Sequence, residues 1–144
     1  MTYRTIYSDV DFAEMGWHDA TVYSITFPQA NFTISFDIDY IFKWHRTQTE
    51  LRGWDVAPCT LEFQNISDLK MSLDWQMQGD TTILDITRQN RQLSPNGKFV
   101  CWDYRVELDV GVVSFTATGF EQVVRTPSIF SESQSLGRKN RVLE

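Results

Sequence analysis

His18 and Asp19 are the first residues of the chain whose types suggest chemistry, because an adjacent imidazole and carboxylate can hold a metal ion or relay a proton. Metal-dependent phosphohydrolases built on such a pair need further His and Asp ligands carried on helices, and this chain has two histidines, His18 and His45. The plainer reading is conformational, with Asp19 accepting backbone N–H bonds in the turn before the first long strand. Asp37 and Asp39 form a second pair. Two residues apart on an extended strand, their carboxylates point the same way and can bind a hard cation, or let one member keep its proton as an acid. Against that stands a solvated sheet face on which cross-strand cations such as Lys43 or Arg105 answer the acids. Asp74, Glu107 and Asp109 fit a charged face of that kind equally well.

The search for nucleophiles and cradles returns nothing specific. Cys59 and Cys101 have no C-x-x-C spacing and no neighbouring His, and read as two buried thiols. No serine sits in a G-x-S-x-G elbow, and the seven glycines never cluster into a phosphate loop. No catalytic residue, metal ligand or cofactor is therefore assigned. Among the five tryptophans, Trp75 and Trp102 fall on inward-facing positions and are expected in the core. Trp54, between Gly53 and Asp55, is expected in a loop, covering one end of the core or serving as an exposed anchor for a partner.

The elements that must position these residues are strands. From Phe32 to Trp44, the residues Phe32, Ile34, Phe36, Ile38, Tyr40, Phe42 and Trp44 share one side, and Thr33, Ser35, Asp37, Asp39, Lys43 and His45 the other. That alternation predicts one packed and one wet face, and the length predicts a bend or bulge. Asp9 to Gly16 reads as a short helix capped by Asp9, and Ala20 to Phe27 as a strand with Tyr23, Ile25 and Phe27 on one face. Pro28, Gln29, Ala30 and Asn31 make a turn, and Arg46 to Pro58 reads as a loop because of Gly53 and Pro58. Thr60 to Ile66 is a strand with Leu61 and Phe63 inward, and Leu69, Met71, Leu73, Trp75 and Met77 mark another. After the turn Gln78-Gly79-Asp80, Thr82 to Arg88 pairs back. Ser94-Pro95-Asn96-Gly97 is a further turn signal. Trp102 to Val110 and Val112 to Phe120 close the series around Gly111. The expected fold is all-β, an antiparallel meander of seven or eight strands forming a sandwich or a curled half-barrel. Residues 1–144 make a single domain. The polar extension 128–144 either wraps it through Ile129, Phe130 and Leu136 or is partly mobile.

Composition bounds the function classes. With 144 residues, 42% hydrophobic and 22% charged, the chain is long enough to bury a core and unlike a disordered segment. The net charge of -6 disfavours nucleic acid and anionic membranes, and the basic cluster Arg138, Lys139 and Arg141 is too short to make a binding stripe. The N-terminal residues lack the apolar segment of a signal peptide, and no apolar run is long enough to span a bilayer, so a cytoplasmic location is expected. The same acidity favours a basic protein partner.

The order of motifs Phe42-Lys43-Trp44, Leu61 to Leu69 (Leu-x-Phe-x-Asn-Ile-x-Asp-Leu) and Ser114 to Ala117 (Ser-Phe-x-Ala) resembles small β-rich bacterial proteins, some grouped as immunity proteins of polymorphic toxin systems and others of unknown function. The resemblance spans roughly Trp17 to Val124. It implies a cytoplasmic protein that binds and neutralises a toxin, with no catalytic residues to carry over. The leading expectation is thus a non-enzymatic interaction domain using Asp37, Asp39, Asp74, Glu107 and Trp54. The alternatives are a small hydrolase or ligand-binding barrel using His18/Asp19 and Asp37/Asp39, and a structural homo-oligomer.

Overall fold

A computed structural model of the chain describes residues 3–27, 30–76, 79–138 and 141. Pro28, Gln29, Met77, Gln78 and Lys139, expected in turns, a strand and the basic cluster, lie outside the described residues. Ten antiparallel strands run β1 (Ile6–Ser8), β2 (Thr21–Thr26), β3 (Ile34–Arg46), β4 (Leu51–Gln64), β5 (Ser67–Leu73), β6 (Thr81–Leu93), β7 (Val100–Leu108), β8 (Gly111–Ala117), β9 (Gly119–Val124) and β10 (Ile129–Ser131). The all-β antiparallel reading is borne out. The only helical element among the described residues is a 3-10 turn at Asp9–Glu14, opened by Ser8, whose N–H donates to Asp11 (2.9 Å), and not by Asp9. No described helix is long and apolar enough to cross a membrane.

The strand order is β1-β9-β4-β3-β2-β6-β7-β8-β5, with β10 also beside β4, and the sheet does not close into a barrel. Strands β2 and β6 join by two residue pairs, Thr21 with Thr82 and Val22 with Thr81. At that short junction the sheet folds, so that β1–β4 and β9 face β5–β8. Phe63 of β4 marks the contact, its ring 5.0 Å from Tyr104 and 4.7 Å from Phe115 on the opposite layer. Ile34, Phe36, Ile38, Leu61, Val106 and Val113 fill the space between, all with at most 0% exposure. Burying that apolar surface is the main force holding the two layers together.

The long strand keeps its predicted alternation only to a bulge. Pairing with β4 slips between Ile41 and Lys43, so Phe42 is the extra residue. Beyond it the faces exchange. Trp44 sits opposite Trp54 on the side of Ile41 and Val56, and no longer on that of Tyr40. Phe32 lies outside the strand, at φ 56 and largely exposed. A second slip at Tyr23 turns that ring outward, toward Asp39, while Ile25 stays inward.

The expected loop from Arg46 to Pro58 is instead mostly strand β4, and the true turn is Thr47 to Glu50, closed by a 2.8 Å bond from the Thr47 N–H to the Glu50 carbonyl. Proline is tolerated because β9 pairs with β4 only from Cys59 and β10 only up to Val56, leaving Pro58 no strand on that side. Glycine is required at 53 because a Cβ there would lie 2.6 Å from the Ser131 carbonyl oxygen of β10, with the Phe130 ring beside it.

Candidate functional site

The expected wet face of β3 is covered. The chain from Arg125 to Arg138 crosses it as a strap, pairing as β10 with β4 and burying Leu136 against Ile41 and Val56, and Arg141 lies over the same face. Asp39 has no exposed surface, and its carboxylate is fully answered. Oδ1 accepts from Arg141 Nε (3.0 Å), and Oδ2 from the Tyr23 hydroxyl (2.5 Å) and the Leu136 N–H (2.8 Å). Asp37 takes both terminal nitrogens of Arg141, at 3.0 and 2.7 Å, and Arg125 at 2.6 Å. The guanidinium of Arg141 lies 3.9 Å from the Tyr23 ring centre, a cation–π contact. Burial pushes the Asp37 carboxyl up, but the hydrogen bond and charge of Arg141 and the charge of Arg125 outweigh it, so its pKa falls below 3.8. Tyr23 is pushed up to about 12 by burial and by its bond to Asp39. The acids are answered by cations, as a charged surface would require, but the cations come from the strap and not from Lys43 or Arg105. This constellation holds the strap, and leaves Asp39 no surface to offer a ligand.

The other predicted residues do not gather. Trp54 lies in β4, half-buried and edge-on to Trp44 at 5.7 Å, so it packs beneath the strap and does not stand in a loop. Glu107 is on the outside of the opposite layer, 2.9 Å from Arg105. Asp74 follows the end of β5, exposed, accepting from Gln76 Nε2 at 2.7 Å. His18 is mostly exposed, with Nδ1 3.0 Å from the Leu84 carbonyl and Nε2 3.4 Å from Asp19. Asp19 sits at φ 68, and its carboxylate accepts from the Gln134 side chain of the strap (2.8 Å).

Sequence reading missed a second acid–imidazole pair because the bulge creates it. His45 Nε2 lies 2.7 Å from Asp55 Oδ1, and the Tyr3 hydroxyl donates to Asp55 Oδ2 at 2.8 Å. Burial raises the Asp55 carboxyl, but the bonds from His45 and Tyr3 prevail and lower it. Such a pair orients a general base. Among the described residues, however, no hydroxyl or thiol is bonded to the second ring nitrogen of His45. The trio clamps the N-terminal residues to the β3–β4 hairpin. No group of three potential metal ligands occurs among the described residues.

A different surface has the character of a binding site. Along one side β2 is paired with β3 through to Thr26, but on the other it meets β6 only at Thr21 and Val22. From Tyr23 to Thr26 that edge has no strand beside it among the described residues. Arg138 reaches the Tyr23 carbonyl at 3.3 Å. The opening leads to a groove of about 210 Å³ between the layers, walled by Val22, Ile25, Leu73, Trp75 and Leu108. Trp75, expected in the core, is 49% exposed, and Leu73 is 42% exposed. The strand alternation that placed Trp75 inward stops at Leu73, where β5 ends.

No protein-family model matches the chain, and no curated protein or solved structure is significantly similar to it.

Proposed function

We propose that this protein is a non-enzymatic interaction domain that takes a basic protein partner at the seam between β2 and the end of β5. The observation that carries the reading is Trp75, half in water beside Leu73, at the mouth of an apolar groove and next to a strand edge that has no strand beside it among the described residues. Exposed aromatic surface of this kind gains free energy when a partner covers it, and tryptophan is a favoured anchor at interfaces. The net charge of -6 supports a basic partner by steering its approach. A toxin is the partner that the resemblance to immunity proteins implies.

The test is capture from the native host, with tagged wild type and Trp75→Glu side by side over several growth conditions. A specific basic protein recovered by the wild type and lost in the variant is the expected result. Recovery of nothing above background in every condition would sink the reading.

A further inference from the structure

Resting on that reading, we infer that the partner enters the seam as an extended segment, adding a strand to β2 with one large apolar side chain in the groove and Lys or Arg flanking it. Three observations converge. The edge from Tyr23 to Thr26 offers backbone groups with no strand beside them among the described residues, and an unpaired edge is a template for another strand. Inward-facing Ile25 on that strand and Leu73 and Trp75 on the opposite lip hold the groove where a side chain of the added strand would point. Its volume suits one bulky side chain and not a helix.

Charge selects the occupant. Asp74 falls between the lining residues Leu73 and Trp75, and Asp109 follows the lining Leu108; they accept hydrogen bonds from Gln76, Thr81 and Thr82 but have no cation paired to them among the described residues. Asp80, near the same edge, is paired with the exposed Arg138 at 2.8 Å. Two uncompensated carboxylates favour a cationic segment and repel an acidic one. They also disfavour a second copy of this chain, which would bring its own acidic rim to the contact.

The inference is tested by titrating isotope-labelled protein with synthetic peptides of alternating Thr and Val. One peptide has a central Phe and a Lys at each end, one has Asp at the ends, and one has Ala in place of Phe. The Lys-ended Phe peptide is expected to shift the amides of Ser24, Ile25 and Thr26 and the Trp75 indole. Its affinity should exceed that of either counterpart by about tenfold or more, and Trp75→Ala should weaken it similarly. Shifts confined to another surface, equal affinity for Lys-ended and Asp-ended peptides, or no shift at millimolar peptide would overturn the inference. So would sedimentation showing a concentration-dependent dimer that Trp75→Glu abolishes, since the occupant would then be a second copy. The two levels fail separately. A cellular partner whose binding survives Trp75→Glu defeats strand addition but leaves an interaction domain. Peptide binding as expected, with no cellular partner, defeats the functional reading alone.

Discussion

Asp39 has no exposed surface and three hydrogen-bond donors on its carboxylate, whereas Trp75, across β2, keeps 49% of its surface in water. The polar residue is sealed and the aromatic one is left out, the reverse of what residue type alone would favour. The strap explains the first, because Arg141 brings a matching charge and Leu136 an apolar lid over the outer face of β3. Among the described residues, nothing comparable covers the second. A surface whose buried carboxylates are both answered by cations is finished as structure. One that leaves an aromatic side chain and a strand edge unpaired has free energy still to gain from a partner.

The difference can be broken most severely on the strap side. Arg141→Ala leaves Asp39 as a buried charge without its cation, and should cost about 3–5 kcal/mol of unfolding free energy, read from denaturant midpoints. Leu136→Ala removes the lid over Ile41 and Val56 and should cost about 2–3 kcal/mol by the same measurement.

The pH dependence of the strap is smaller and has a definite sign. Asp37 is held below 3.8, so its contribution is complete above that value and is lost as pH falls through its lowered pKa. Tyr23, against the strap, and Tyr40, in the core away from it, are each raised from 10.0 to about 12, so their protonated forms are favoured in the fold, and stability declines as pH climbs from 10 toward 12. Melting temperatures across pH should fall at both ends, with the acid limb flattened by Asp37→Asn.

On the seam side the effects on stability should be least. Trp75→Glu lies at a half-exposed position and should change unfolding free energy by less than about 1 kcal/mol, while removing partner binding. A large loss of stability in this variant would make Trp75 a core residue and erase the contrast between the two regions.

The sequence carried the inward faces of the strands well, because a period of two is set by backbone geometry and Ile34, Phe36, Ile38, Leu61 and Phe63 all obey it. It could not carry the single-residue slips. The bulge at Phe42 moves Trp44 to the other face and brings His45 to Asp55, yet nothing in the run of alternating residues marks where the extra residue falls. Gly53 and Pro58 argued for a loop because their local preferences disfavour strands. Each is permitted by a long-range circumstance, the close approach of β10 to Gly53 and the gap between β9 and β10 beside Pro58. The strap was legible as a segment with three apolar residues. That Arg141 would find Asp37 and Asp39, about a hundred residues away, depends on tertiary contact alone. The seam was hidden for a related reason, since Leu69 to Trp75 alternates without a break and only the end of pairing at Leu73 leaves Trp75 outside.

The central claim is that the seam is where a partner binds. Comparing wild type, Trp75→Glu and Glu107→Gln in capture from the native host tests it most directly, because Glu107 is a comparably exposed residue on the outside of the opposite layer. Glu107→Gln is expected to retain the partner and Trp75→Glu to lose it by about tenfold or more, on the order of an interface anchor. Full retention by Trp75→Glu, with loss in Glu107→Gln, would contradict it.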